Sequence, residues 1–113
     1  MEQAKRQLDE SLRTIVAARS AGVILALGYD SGPPGASANE FLRLAEAGLS
    51  PTEALRAATV GGAAALGRPD LGRVSVGATA DLVVVDGRPD VDLGLLTQPS
   101  SIVEVMRSGV AVG

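Results

Sequence analysis

The sequence predicts an α/β fold in which helices flank one buried strand and a small group of β-strands follows. Three observations indicate this fold. Residues 3–20 repeat apolar side chains at helical spacing, residues 23–27 form an unbroken apolar run, and the period changes from helix to strand near residue 68. A strand that is apolar on both faces needs parallel neighbours and covering helices. Because only one such strand precedes residue 68, we expect this part to be a slice of a larger α/β domain.

The first predicted helix, residues 3–20, leads directly into the apolar run VILAL. One side of this helix carries regularly spaced residues, namely Leu8, Leu12, Ile15, Val16 and Arg19. Gly22 is the kind of residue that ends a helix. The run at 23–27 lies between Gly22 and Gly28, and its length and composition predict a strand buried on both faces.

Two capping signals predict two further helices. Ser37 and Glu40 have the S-x-x-E spacing of a capping box, and Ser50 and Glu53 repeat it with Pro51 at the first helical position. The second of these helices should end at Gly67 and bury a face rich in small residues: Leu55, Ala58, Thr59, Gly62, Ala63 and Leu66. Such a face allows a neighbouring segment to approach closely.

Residues after about 68 predict a small β unit. Val74 and Val76 alternate with polar neighbours, and Asp81 and Asp86 bracket the β-rich run LVVV. Residues 102–106 predict another strand, and Ser108-Gly109 predicts a hairpin turn into residues 110–112.

Composition excludes several classes of function. The net charge is −3, the ten basic residues are dispersed, and aromatic residues make up only 2% of the chain, which argues against nucleic-acid binding. The absence of cysteine excludes disulfides and thiolate sites, and the absence of histidine removes the commonest general base and zinc ligand. No apolar run is long enough for a membrane span, and the start MEQAKRQLDES lacks a signal-peptide core. We therefore expect a cytoplasmic protein.

The loop GYDSGPPG, residues 28–35, allows four interpretations. A phosphate cradle is disfavoured because Pro33 and Pro34 remove two N–H donors, and a Ser31 nucleophile lacks a histidine base. Asp30 as a turn-former is favoured by spacing alone. The fourth interpretation is a carboxylate that binds a metal or transfers a proton at the carboxyl end of a barrel strand.

Four blocks of the sequence, taken together, resemble the C-terminal part of the metal-dependent amidohydrolase superfamily, especially its imidazolonepropionase-like and prolidase-like branch. AGVILALGYDSG is similar to the family's last barrel strand and the loop after it. The helix pair EFLRLAEAGLSPTEALRAATVGGAAALG, the return segment LGRVSVGATADLVVVDGRPD and the hairpin IVEVMRSGVAV follow in the family's order. The resemblance covers the chain from about residue 15 to its end.

The resemblance implies a fold and a chemistry. The fold would be the last strand and helices of a (β/α)₈ TIM barrel in residues 1–67, followed by part of a small β-sandwich in residues 68–113. The reaction would be hydrolysis of a carbon–nitrogen bond in a small amide or cyclic amide, with one or two divalent metals, often zinc. Asp30 would bind metal, orient the attacking water and shuttle its proton. Tyr29, Ser31 and Gly32 would shape the substrate mouth, and Asp81 and Asp86 would be structural.

Two departures from the family pattern limit what this chain can do. Tyr29 stands where the family usually has threonine, and the histidine ligands of the earlier barrel strands are absent. A complete barrel needs about 250 residues. We therefore expect the 113-residue chain alone to bind no stoichiometric metal and to hydrolyse nothing.

Two alternatives to an incomplete hydrolase stay open. One is a non-catalytic remnant that self-assembles or joins a complementing chain, because the strand at 23–27 would have two unpaired edges. The other is a product that does not fold.

Overall fold

The computed structural model describes residues 2–29 and 36–112. Helices come first and a three-stranded antiparallel sheet follows, which confirms an α/β composition. The helical elements are α1 (Glu2–Ser20), a 3₁₀ turn (Ala36–Asn39), α2 (Glu40–Glu46), α3 (Pro51–Arg56), a π-helical segment (Ala57–Gly61) and α4 (Gly62–Ala65). The remaining elements are β1 (Leu82–Val85), two 3₁₀ turns (Leu93–Thr97 and Pro99–Ser101), β2 (Ile102–Arg107) and β3 (Val110–Ala111).

Helix α1 confirms the first sequence prediction, including its end. Gly22 has a φ of +77°, which favours glycine, and the Val23 N–H donates to the Ala18 carbonyl across 3.0 Å. The predicted apolar side is only half-covered: Leu8, Leu12 and Ile15 are intermediate, and α1 has no fully buried residue.

The prediction that residues 23–27 form a strand buried on both faces is wrong. The segment runs between Gly22 and Tyr29 without strand pairing in the described part of the chain, and Val23 and Ile24 are 56% and 73% exposed. Only Leu25 and Leu27 are half-buried. The physical reason is the lack of a neighbouring strand there, so the segment packs on a helix instead.

The two predicted capping boxes have different outcomes. At α3 the box is confirmed: the Glu53 N–H donates to Ser50 Oγ (3.2 Å), and the Ser50 N–H donates to Glu53 Oε1 (3.1 Å). The box predicted at Ser37 is wrong. There the chain forms a 3₁₀ turn, and α2 begins at Glu40 with Asn39 as an N-cap that makes no side-chain capping bond.

The third predicted helix, residues 50–67, is present but contains an unpredicted π-helical segment. The wider π turn shifts the phase of the helix, so most of the buried positions differ from those expected, whereas Ala63 is buried as predicted. Ala54, Ala57, Gly61 and Ala63 are buried, whereas Leu66 is 72% exposed. The predicted close approach of a neighbour does occur, at Gly61 rather than at Gly62.

The predicted strands at 82–85 and 102–106 and the hairpin after them are confirmed. Strand β2 lies between β1 and β3, with Val83 opposite Val105, and the register shifts between Val84 and Val85. Ser108 and Gly109 have φ values of +50° and +80°, as a two-residue hairpin turn of the primed type requires. Strand structure at Val74 and Val76 is not formed; both side chains are exposed.

The buried apolar residues are few and mostly small. They lie in the helical part, apart from one leucine in the 3₁₀ turn between β1 and β2: Ala47, Leu49, Ala54, Ala57, Ala63 and Leu93. The 3₁₀ turn that contains Leu93 contacts α2, and this contact joins the two parts of the chain.

Across residues 2–29 and 36–112, no helix combines the length and the apolar character that a membrane crossing requires.

Candidate functional site

Residues that the structure describes lie on both sides of the predicted catalytic loop. Asp30, Ser31 and Gly32 lie outside the described residues, so the structure neither brings them together nor separates them. Tyr29, the last residue before them, is 38% exposed. Ala36, the first residue after them, begins the 3₁₀ turn that leads into α2.

The segment that leads to Asp30 is held on the π-helical part of the third helix. The Leu27 N–H donates to the carbonyl oxygen of Ala57, the first π-helical residue, across 2.9 Å. Two residues earlier, the Leu25 carbonyl lies so close to Gly61 that a β-carbon there would overlap its oxygen. The backbone three residues before Asp30 is therefore fixed by backbone contacts with this helix.

A groove of about 450 Å³ lies between this segment and the third helix. Its two walls are Gly22–Leu25 and the helical residues from Glu53 to Ala64, and most of its lining is apolar. Three charged residues, Arg19, Glu53 and Arg56, lie among the lining residues. Sequence analysis did not predict the groove; Arg19 on the apolar side of α1 was the one signal of it.

Arg19 and Glu53 form a two-pronged ion pair that connects α1 to the start of α3. Arg19 Nε donates to Glu53 Oε2 (2.6 Å), and Arg19 Nη2 donates to Oε1 (2.8 Å), which also accepts the Ser50 N–H. The hydrogen bond from Arg19 is the main reason that the pKa of Glu53 falls from 4.5 to about 2. A carboxylate with so low a pKa is a poor general base near neutral pH, so this pair is a structural tie.

Several aspartates in the described part of the chain make structural contacts. Arg68 donates two hydrogen bonds to Asp70 and lowers its pKa to about 2, and Arg88 holds Asp90 in the same way and lowers its pKa. Asp81 Oδ1 accepts the Ser108 N–H across 2.9 Å, so this carboxylate supports the hairpin turn. Asp86 is exposed, and its backbone N–H donates to the Ser101 carbonyl.

The described residues do not by themselves match the metal site that the resemblance implies. Within 2–29 and 36–112, no three acidic side chains come close enough together to hold a metal ion, and the sequence has no histidine or cysteine. Asp30 is the one residue of this chain assigned to such a site by the resemblance. We therefore derive no chemical step through a metal from the described geometry.

The helices that come first and the small antiparallel sheet that follows define an α/β chain. The chain belongs to the amidohydrolase family, whose sequence profile matches residues 3–112. This membership confirms the resemblance seen in the four sequence blocks.

Individual relatives point to the same branch of the family. Imidazolonepropionase from Salinispora arenicola is 39% identical over 95 residues, which cover 80% of this chain and 24% of that protein. The crystal structure of Aspergillus niger ochratoxinase superposes with a TM-score of 0.84 at 30% identity, covering 91% of this chain and 24% of that one. A prolidase complexed with N-methylphosphonate-L-proline gives a TM-score of 0.81 at 33% identity, covering 89% and 26%. The chain thus spans about a quarter of the length of the relatives it matches.

Proposed function

We propose that this chain is the C-terminal part of an amidohydrolase that hydrolyses a carbon–nitrogen bond in a small amide or cyclic amide, and that Asp30 is its catalytic carboxylate. One observation carries the proposal: most of the chain is similar to imidazolonepropionase and to a prolidase. In the complete protein, where neighbouring barrel strands would pair with residues 23–27, residues 1–67 would form the last strand and helices of a TIM barrel. Residues 68–113 would form strands of a small β-sandwich.

The proposed chemistry assigns Asp30 a ligand role and a base role. The complete protein would bind a divalent metal such as zinc, whose chemistry would be to polarise the substrate carbonyl. Asp30 would be one ligand and would take the proton from the attacking water, and the same proton would then pass to the leaving nitrogen. Tyr29, Ser31 and Gly32 would border the substrate.

A chimeric enzyme tests this proposal. The matching quarter of Salinispora arenicola imidazolonepropionase would be replaced by this chain, and hydrolysis of the parent substrate would be measured. We expect Asp30→Asn to lower kcat by at least about 100-fold, because a proton-transferring group is lost. Asp86→Asn is the matched control, since Asp86 also follows an apolar β-rich run and is exposed. Equal activity of the two variants would show that Asp30 is only a turn-former.

The 113-residue chain alone is proposed to be inactive and to bind no stoichiometric metal. Support comes from its lack of histidine, the commonest metal ligand, since about four ligands are typical of zinc. Elemental analysis of the purified chain after dialysis against zinc is the direct measurement. One tightly bound zinc per chain would overturn this part of the proposal.

A second candidate function is a non-catalytic protein that depends on a partner or on self-assembly. The exposure of Val23 and Ile24 favours it, because a β-rich apolar segment without a strand partner can pair with another chain. Size-exclusion chromatography separates the two: a monomer at all concentrations, together with an active chimera, would leave the hydrolase as the better proposal.

A further inference from the structure

We propose that Gly61 is a positioning residue: it lets the backbone of residues 25–27 dock on the π-helical segment, and this docking fixes the approach to Asp30. The inference rests on the proposed function, because it matters for turnover only if Asp30 is catalytic. Gly61 has no side chain that could take part in the reaction itself. Its role is the space that it leaves for Leu25.

The first step of the argument is steric. Gly61 is buried, has helical φ and ψ angles of −64° and −45°, and therefore does not need to be glycine for its own conformation. A β-carbon built on it would overlap the Leu25 carbonyl oxygen and would also lie 3.1 Å from the Arg56 carbonyl oxygen. Both neighbours are backbone atoms, which cannot move away as a flexible side chain can. The absence of a side chain at Gly61 thus allows the backbone of Leu25 to lie in close contact with the helix.

The second step is the hydrogen bond that this close approach permits. Leu27 donates to Ala57 across 2.9 Å, and Ala57 lies one helical turn before Gly61. Hydrogen bonds weaken steeply with distance, so pushing Leu25 away from Gly61 would lengthen and weaken the bond at Leu27. Only Gly28 and Tyr29 separate Leu27 from Asp30. Displacement of the segment would therefore carry over to the loop.

The neighbouring Gly62 supplies a matched control. It is also helical, with φ and ψ angles of −61° and −43°, but a β-carbon there has only the Ala57 carbonyl oxygen within reach, at 3.9 Å. Glycine-to-alanine changes at 61 and 62 should give the same gain in helix propensity. Any difference between the two variants isolates the contact with Leu25.

The structural test uses the 113-residue chain and two local probes. We expect Gly61→Ala to speed hydrogen exchange at the Leu27 amide about fivefold to tenfold relative to Gly62→Ala, the range for loss of one hydrogen bond. Tyr29 is the only tyrosine and there is no tryptophan, so tyrosine fluorescence and its quenching by acrylamide report on the residue beside Asp30. Quenching should increase in Gly61→Ala alone. Identical exchange and quenching in the two variants would overturn the inference.

A second pair of variants applies if Gly61→Ala loses its helical circular dichroism. Leu27→Pro removes the donor N–H, whereas Leu27→Ala shortens the same side chain and keeps the donor. We expect greater tyrosine quenching in Leu27→Pro than in Leu27→Ala. Equal quenching would contradict the docking role of this hydrogen bond.

The catalytic test uses the imidazolonepropionase chimera. We expect Gly61→Ala to lower kcat up to about 100-fold with little change in KM, because a displaced reacting group affects the chemical step most. Gly62→Ala should keep both constants. If Asp30→Asn is inactive while Gly61→Ala matches Gly62→Ala, the positioning role is wrong and the proposed function stands. If Asp30→Asn remains active, the proposed function fails. Hydrogen exchange at the Leu27 amide then still tests whether Gly61 allows residues 25–27 to dock on the helix.

Discussion

Two short apolar runs of this chain have similar sequences and different structures. Residues 23–27 read VILAL and lead to Asp30, and residues 82–85 read LVVV and lead to Asp86. The second run is β1, paired along its whole length with β2. The first has no strand pairing in the described part of the chain and lies on a helix, with Ile24 73% exposed.

The difference teaches that an apolar β-rich run needs a strand beside it to become a strand. β1 has a partner in β2, which itself pairs with β3. Residues 23–27 meet the third helix, which offers the carbonyl of Ala57 and room at Gly61 but no ladder of donors and acceptors. Here the helix accepts one N–H of the segment, that of Leu27. A neighbouring strand would instead pair the N–H and C=O groups of every second residue.

The largest expected difference between the two regions is in the free energy that a proline substitution costs. Glu104→Pro places a proline in the central strand, where it removes a ladder hydrogen bond, and should destabilise the chain by about 1–3 kcal/mol. Ala26→Pro lies in the unpaired run and should change stability by less than about 1 kcal/mol. Urea denaturation followed by circular dichroism measures both. A larger loss for Ala26→Pro would mean that residues 23–27 are paired in solution.

An intermediate effect is expected from the tie between Arg19 and Glu53, which joins the helices on either side of the first run. Because the pKa of Glu53 falls from 4.5 to about 2 on folding, the ionised pair stabilises the chain above pH 4.5 and stops doing so as pH falls through 2. Glu53→Gln should therefore lower the melting temperature at pH 6–7, and its difference from the unmodified chain should close between pH 4.5 and 2. A difference that is constant with pH would show that the charge of Glu53 is not responsible.

The smallest expected effect is on exposed side chains of the first run. Ile24→Thr should alter the free energy of unfolding by less than about 0.5 kcal/mol, because Ile24 has little burial to lose. The half-buried partner in the same run, Leu25→Thr, should cost more. Chemical denaturation of the two variants compares them directly. Equal costs would indicate that another chain covers Ile24 in solution.

Much of the local structure was predictable because its causes are local. The end of α1 at Gly22, the capping box at Ser50 and the turn at Ser108-Gly109 depend on residues close in sequence, and all three are confirmed. The resemblance blocks likewise led to the correct family. The role of Asp30 stays a prediction, since it lies outside the described residues.

What could not be predicted depends on contacts between distant residues. The π-helical segment, the docking of Leu27 on Ala57 and the burial of Gly61 arise from packing across about 30 residues of sequence, which a periodic pattern does not encode. The pair of Arg19 with Glu53 joins residues 34 positions apart. The sequence showed both charges, but nothing in it indicated their contact.

The position of β2 in the middle of the sheet has a consequence for the order of assembly during synthesis. β1 emerges from the ribosome before β2 exists, so its valines and its open backbone groups have no partner until residues 102–107 follow. The Asp81 carboxylate likewise cannot accept the Ser108 N–H until Ser108, 27 positions later, has been synthesised. Shielding of β1 by a chaperone during this interval would limit the wrong pairings that a nascent valine-rich edge invites.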